Sequence, residues 1–323
     1  MKAHAAGVLL ALVSVMAAAQ SGPGATPADR ARPIRWVVPQ PPGTASDTMA
    51  RTIAQKLSEQ WSRPIVIDNR TGANGIIGAD AVAKSAPNGL TWLNAYVGNH
   101  ATNPALHQKL PFDAVNDFAA VAILGVVPYV LVVNPSLPAK SVKDLIELAR
   151  QKPGELSYGG PTGSVNQLLG VMLNSRTRIE MLFVPYKVMR DATFDTVAGR
   201  IQLCYSSAVV AAPLVKSAKL RALAATSGKR SASLPDVPTI AESGFPGFDV
   251  TPWFGILVRA GTPPSIIGDL NGAVNKLLEQ NEVVERFAGA EPFPVTPQQF
   301  ERIIREDMVR WGKVIRDAGV VAQ

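Results

Sequence analysis

The chain has 323 residues, of which 47% are hydrophobic and 18% charged, and its formal net charge at pH 7 is +7. This length is enough to bury a substantial core in about two domains, and the composition is that of a globular protein. The basic residues are spread out, and the densest run, Gly228-Lys-Arg230, has no interleaved aromatic residues, which argues against nucleic acid as a partner. The positive charge fits an anionic small ligand or a membrane surface better.

The N-terminal segment has the pattern of a secretory signal. One lysine precedes an apolar stretch at 5–15, and Ala17-Ala18-Ala19 stands directly before Gln20. An apolar stretch of this length is too short to span a bilayer. We therefore predict a cleaved signal peptide over 1–19, a disordered linker over 20–33, and a periplasmic protein.

From residue 34 onwards, short β-branched runs alternate with helical patterns, which is typical of parallel α/β layers. Strands are predicted at 34–38, 64–68, 91–95, 180–184, 201–205 and 220–226, and helices at 47–61, 74–86, 141–151, 167–173, 191–198, 265–279 and 297–316.

Two longer apolar runs, at 121–133 and 251–258, are interpreted as strands that cross from one domain into the other. The pattern predicts an α/β fold of two lobes joined by two crossing hinge strands. Lobe 1 comprises 34–125 and 255–323, and lobe 2 comprises 126–254. The single cysteine cannot form an internal disulfide, so we expect the core alone to stabilise the fold.

Two segments share the pattern of a strand, a Gly/Pro loop and a helix start. The first follows the predicted strand 34–38 and the second lies in the predicted second lobe. Each has a capping-box pair, Thr44 with Asp47 and Ser164 with Gln167. Backbone N–H groups at a helix start lack internal partners and carry the positive end of the helix dipole, so they favour an anion. Each loop alone is typical of an ordinary capped helix, but the pair favours one ligand held from two sides.

Patterns typical of enzymes are weak in this sequence. No G-x-S-x-G elbow and no spacing of His, Cys and carboxylates typical of a metal site occur. The run at 72–78 is G-x-x-G-x-x-G and not the dinucleotide G-x-G-x-x-G, so we interpret it as a tight turn. Asp191 and Asp195 are interpreted as solvated. We predict a binding protein without cofactor or metal; the alternative is a secreted bilobal enzyme with Ser164 or Asp47 as catalyst.

Several short motifs occur in a specific order and spacing along the rest of the chain. They are Val38-Pro-Gln-Pro-Pro-Gly-Thr-Ala-Ser-Asp47, Asp68-Asn-Arg-Thr-Gly-Ala-Asn-Gly75, Pro87-Asn-Gly-Leu-Thr91, His100-Ala-Thr-Asn-Pro104, Leu110-Pro-Phe-Asp113, Tyr158-Gly-Gly-Pro-Thr-Gly-Ser164, Val184-Pro-Tyr-Lys187 and Leu234-Pro-Asp-Val-Pro-Thr239. In these motifs the chain resembles the Bug (Bordetella uptake gene), or TctC-like, receptors of tripartite tricarboxylate transporters. The resemblance implies a type II, Venus flytrap periplasmic-binding-protein fold that binds a small organic carboxylate between its lobes. It also implies membrane transporter subunits as partners, and we expect a monomer. A receptor that signals to a membrane kinase is a further alternative.

The resemblance implies that backbone groups and waters in the first loop of each lobe hold the carboxylate. The candidate ligand-binding residues are Gly43, Thr44, Ala45, Ser46, Asp47, His100, Thr162, Gly163, Ser164, Gln167, Tyr186, Arg190, Ser206 and Ser207. Tyr186, Ser206 and Ser207 end strands of lobe 2, where α/β proteins usually bind ligands, and His100 lines the cleft from lobe 1. Structural roles for these four residues are equally compatible with the sequence.

The chain departs from the usual family pattern at several loop positions. Thr44 replaces a second glycine, Gln40 an aromatic residue and Gln167 a histidine, so the sequence does not fix which carboxylate is bound. The segment after Lys187 also lacks the usual Gly and Pro. Arg190 in that segment has two interpretations, a bidentate partner for a second carboxylate or a solvated charge.

Overall fold

Two β-sheets organise residues 32–287 and 289–317, which the computed structural model describes. The predicted signal peptide and the predicted linker up to residue 31 lie outside the described residues. The strands are β1 (Ile34–Val38), β2 (Ile65–Asn69), β3 (Thr91–Tyr96), β4 (Phe118–Val126), β5 (Tyr129–Val133), β6 (Ser157–Pro161), β7 (Leu182–Tyr186), β8 (Leu203–Ser207), β9 (Arg221–Ala225), β10 (Trp253–Arg259) and β11 (Glu291–Pro292). The helices are α1 (Ala45–Trp61), α2 (Ile76–Ala83), α3 (Asn103–Leu106), α4 (Val142–Gln151), α5 (Val165–Thr177), α6 (Met189–Val197), α7 (Ala208–Lys216), α8 (Pro264–Leu278), α9 (Asn281–Val284) and α10 (Pro297–Asp317).

The strand order is β11-β4-β10-β3-β1-β2 in the first sheet and β7-β6-β8-β5-β9 in the second. In the first sheet β1, β2 and β3 are parallel, and β10 runs antiparallel between β3 and β4. In the second sheet β6, β7 and β8 are parallel, and β5 runs antiparallel between β8 and β9. Each sheet therefore forms the centre of one α/β lobe.

The chain passes between the sheets twice, and the two passages lie side by side. The first is Val127-Pro128, and the second leads into β10 through Pro252. The Val127 N–H donates to the Pro252 carbonyl oxygen at 2.8 Å. The predicted continuous strand 121–133 is therefore wrong in one respect: it is two strands, because Pro128 has no N–H to continue a ladder.

Helix α1 packs its apolar face on the first sheet. Met49, Ile53 and Leu57, the residues predicted for that face, are fully buried. Beneath them the rings of Trp36 and Trp92 meet edge to face with centroids 5.3 Å apart. This face fixes the direction of α1, and with it the position of the loop between β1 and α1.

Helix α10 forms hydrogen bonds on both sides of the second passage. Its Asp307, 3% exposed, accepts a hydrogen bond from Trp253 Nε1 at 2.7 Å. Arg310, one turn further along, donates to Asp307 and to the backbone oxygen of Asp249, which precedes the second passage. The C-terminal helix thus connects the first lobe to the segment that leaves the second.

Candidate functional site

The loops after β1 and β6 lie between the lobes. The register places Tyr129, just after the first passage, opposite Ser207 at the end of β8, and Phe254, just after the second, opposite Tyr96 at the end of β3. The carboxyl ends of the parallel strands in both sheets therefore face the crossing. A Cβ atom built on Gly163 would lie 3.6 Å from Cδ1 of Leu106, which belongs to the first lobe. The second loop therefore approaches lobe 1, and both helix starts follow strand ends that face the crossing.

The first loop is closed by a reciprocal cap. Thr44 Oγ1 accepts a hydrogen bond from the Asp47 N–H at 3.3 Å and donates to the Pro41 carbonyl at 3.0 Å. The Gly43 N–H donates back to Asp47 Oδ2 at 2.9 Å. Gly43 has φ +81°, a conformation that glycine adopts without a steric penalty.

The second loop repeats this arrangement bond for bond. Ser164 Oγ accepts from the Gln167 N–H at 3.5 Å and donates to the Pro161 carbonyl at 2.6 Å. The Gly163 N–H, at φ +72°, donates to Gln167 Oε1 at 2.7 Å. The side chains of Asp47 and Gln167, predicted as ligand contacts, thus hold their own loops.

Each cap leaves two backbone donors for a ligand. In α1 the first helical hydrogen bond runs from the Thr48 N–H to the Thr44 oxygen at 2.9 Å, and in α5 from the Leu168 N–H to the Ser164 oxygen at 3.1 Å. The N–H groups of the first two residues of each helix have no acceptor within the helix. Both pairs carry the positive end of a helix dipole, which is the arrangement that binds carboxylates and phosphates.

The two helix starts differ in charge. Asp47 is 2% exposed, and its carboxylate accepts from Arg51 Nε and Asn69 Nδ2, each at 2.9 Å. Burial raises the pKa of Asp47, but the hydrogen bonds from Arg51, Asn69 and the Gly43 N–H outweigh it and hold that pKa below its usual range. The first loop therefore contains an ion pair between the buried Asp47 and the half-exposed Arg51, whereas the second, with Gln167, has no charged group in its cap.

A side-chain amide fixes the second residue of each helix. In lobe 1, Asn94 Nδ2 on β3 donates to Ser46 Oγ at 2.6 Å, and in lobe 2, Asn166 Nδ2 donates to the Tyr205 oxygen on β8 at 2.6 Å. Asn166 also hydrogen-bonds the hydroxyl of Tyr129, whose pKa burial raises to about 12. These two amides could not be predicted from the sequence, because their partners are 48 and 39 positions away and no local motif marks them.

His100 does not lie with these loops. It is fully buried in a π-helical turn, with its ring 4.6 Å from that of Phe118 and 6.4 Å from that of Phe112. A cavity of about 30 Å³ beside it is bounded on the other side by α10 residues such as Ile304. The expectation that His100 lines the cleft is corrected: apolar packing against the C-terminal helix holds it instead.

Tyr186 and Arg190 lie near the mouth of the second lobe. The Tyr186 hydroxyl donates to Asp195 Oδ2 at 2.9 Å, and burial, followed by this bond, raises its pKa to about 12. Arg190 has a side chain 76% exposed, with Nε 3.7 Å from Asp191 Oδ1. The Tyr186 hydroxyl is thus hydrogen-bonded to a residue of its own lobe. The Arg190 side chain is in the position of a solvated charge.

Three remaining candidates lie at the interlobe edge of lobe 2. Thr162 is exposed in the loop between β6 and α5. Ser206 is 1% exposed, and Ser207, directly opposite Tyr129, precedes the start of α7.

Within residues 32–287 and 289–317 no group of three or more His, Cys, Asp or Glu side chains is placed to hold a metal ion. No helix in the described part of the chain has the length and hydropathy needed to cross a membrane.

The protein has two α/β lobes that are joined by two chain passages, and the carboxyl ends of their parallel strands face the crossing. This arrangement is typical of bilobal solute-binding receptors. The chain belongs to one family of that class. The model of the tripartite tricarboxylate transporter family receptor, TctC, matches residues 49–320, which confirms the resemblance seen in the motifs.

Named relatives and solved structures agree with this family. Protein BugT of Bordetella pertussis is 37% identical over 96% of this chain and 97% of its own length. R. palustris Rpa4515 with adipate is 38% identical, with TM-score 0.79 over 90% of this chain and 98% of that one. MatC (Rpa3494) from Rhodopseudomonas palustris with bound malate is 31% identical, with TM-score 0.76 over 88% and 99%. The chain is a solute receptor of the periplasmic binding protein type, and not an enzyme.

Proposed function

We propose that this receptor binds a small organic carboxylate between its lobes, with the carboxylate on the N–H groups of Ala45 and Ser46 from one side and of Val165 and Asn166 from the other. The observation that carries the proposal is the duplication of one capped, positive helix start at the interlobe edge of each lobe. Two structural neighbours, at 38% and 31% identity, contain adipate and malate, which supports a carboxylate and favours a dicarboxylate.

We further propose that the protein is exported through a cleaved signal peptide and delivers its ligand to the membrane subunits of a tripartite tricarboxylate transporter. The signal pattern before Gln20 and the family of the chain support this. A receptor that closes on its ligand presents one surface when loaded and another when empty, which is what a membrane partner needs to distinguish them.

Ligand identity is tested by a thermal-shift screen of the purified protein against succinate, malate, adipate, citrate and a monocarboxylate. A ligand at about 100 times its dissociation constant adds roughly 2.7 kcal/mol to the free energy of unfolding. We expect a dicarboxylate to give the largest shift. If no carboxylate in the screen shifts the melting temperature at millimolar concentration, the proposed function is wrong.

The position of the carboxylate is tested by the substitution Gln167→Glu. Glu can still accept from the Gly163 N–H, but its negative charge would lack the arginine that pairs with Asp47 in the first loop, because the residue four positions on is Val171. We therefore expect carboxylate binding to weaken at least tenfold, about 1.4 kcal/mol.

The matched control is Gln299→Glu. Gln299 forms a similar capping box at the start of α10: its side chain accepts from the Thr296 N–H at 2.8 Å, and its own N–H donates to Thr296 Oγ1 at 3.2 Å. Its substitution should leave calorimetric affinity unchanged. If Gln167→Glu, like Gln299→Glu, binds the carboxylate as tightly as wild type does, the carboxylate does not lie at the start of α5.

A further inference from the structure

Asn94 is a fully buried polar side chain within the apolar interior of lobe 1. Its Nδ2 lies 2.6 Å from Ser46 Oγ and 3.4 Å from the Ser46 carbonyl oxygen. Its Oδ1 is buried and has no hydrogen-bond partner among the described residues. Its neighbour two positions earlier on the same face of β3, Trp92, belongs to the hydrophobic cluster under α1.

A half-satisfied amide is an unfavourable choice for a core position. Folding removes both polar atoms from water, and only one of them regains a partner, so an apolar side chain of similar volume would serve the core better. Stability therefore does not account for the amide, and what its bonded half does is hold the start of α1.

Lobe 2 has a counterpart at the equivalent place. Ser46 and Asn166 are each the second residue of their helix, and the backbone N–H of each is one of the two unpaired donors of its loop. Asn166, 5% exposed, reaches Tyr205 in the centre of the second sheet. Each helix start is thus fixed to a central strand through the residue that also offers a donor.

We propose that Asn94 is a positioning residue: through Ser46 it holds the backbone donors at the start of α1 in place for the ligand, and it does not contact the ligand itself. In lobe 2, Asn166 holds the start of α5 in the same way. The inference rests on the proposed function. The donors of a site must be held in place because the site works by geometry. In a catalytic site, a displacement of about 1 Å can lower the rate by two orders of magnitude. The Asn94 amide supplies this constraint, and its unpartnered Oδ1 lowers the stability of the core.

The test is the substitution Asn94→Leu, with the best binder among succinate, malate, adipate and citrate as the probe. Because Leu alone leaves the buried Ser46 hydroxyl without its partner, stability is measured on the double variant Asn94→Leu with Ser46→Ala, which removes both polar groups. Urea unfolding of the unliganded double variant should give wild-type stability or higher. The dissociation constant of Asn94→Leu from calorimetry should rise at least tenfold. A purely structural role for Asn94 predicts the opposite pair of results, lower stability and unchanged affinity.

A second variant removes the other end of the bond. Ser46→Ala deletes the acceptor hydroxyl and keeps the backbone N–H, so affinity should fall as it does in Asn94→Leu. The double variant should then be no weaker than the weaker single variant, because both changes break one contact.

The matched control is Asn275→Leu. Asn275 in α8 is also a partly satisfied amide, with Nδ2 at 3.2 Å from the Val295 oxygen and Oδ1 without a partner among the described residues. Its hydrogen bonds go to Val295 and Asn271, and to neither loop. Its affinity should stay within twofold of wild type. If wild type binds a probe and Asn94→Leu and Ser46→Ala bind it equally well, the inference is overturned while the proposed function stands. If wild type binds none of the carboxylates in the thermal-shift screen, both fail.

Discussion

At the scale of single residues, His100 shows how burial changes the chemistry of a side chain. Neither ring nitrogen has a partner among the described residues, and the ring is enclosed by Phe112 and Phe118. Because burial disfavours the charged form, it lowers the pKa of His100 to about 3. The unfolded chain has a histidine pKa near 6.5, so between these values the unfolded state binds more protons than the folded state.

His100 should therefore make the protein less stable as the pH falls below about 6.5. Between pH 7 and pH 5 we expect wild type to lose about 2 kcal/mol of unfolding free energy through this group. His100→Phe, which keeps the ring packing, should remove most of that loss, whereas His107→Gln should keep it. Urea titrations at the two pH values measure this. Parallel pH dependences for wild type and His100→Phe would show that His100 does not titrate in this way.

At the scale of elements, the two binding loops show that one local sequence pattern gives one local geometry. In both, a hydroxyl at the cap accepts from the third helical N–H and donates to a proline carbonyl three residues earlier. These bonds fix the loop before any ligand arrives. The ordering entropy of the donors is therefore spent during folding, which favours tight binding.

Ser164 separates the two contributions of its cap. Ser164→Ala removes both side-chain bonds and should lower the unfolding free energy by about 1 kcal/mol. Ser164→Asp retains an acceptor for the Gln167 N–H, so it should cost less stability, yet its charge should weaken carboxylate binding at least tenfold. Chemical unfolding and calorimetry on the same two preparations provide the comparison. If Asp binds the carboxylate better than Ala does, the anion is not held at this helix start.

At the scale of the whole molecule, the lobes are joined by two passages of chain that lie side by side. Pro128 and Pro252 stand in the two adjacent passages, and Arg310 connects α10 to the backbone of Asp249 next to the second passage. A ligand that contacts both lobes favours the closed arrangement by the affinity it gains from the second lobe.

Closure is measured by small-angle X-ray scattering. The radius of gyration of wild type should fall when a saturating carboxylate is added. Gln167→Glu at the same ligand concentration should show a smaller fall or none, since fewer molecules are loaded. An unchanged radius in wild type at proven saturation would indicate that the lobes are already closed without ligand.

The sequence by itself determined the two-lobed α/β fold, most of its elements and the geometry of both capped loops, because caps and turns depend on residues within about four positions of each other. Helix α7 escaped prediction, since the run at 208–216 is almost wholly apolar, shows no helical period and includes Pro213. Only the tertiary structure placed His100 against α10, joined Asn94 to Ser46, and turned one apolar run into strands of two sheets. Those outcomes depend on contacts between residues far apart in the chain, which local patterns do not encode.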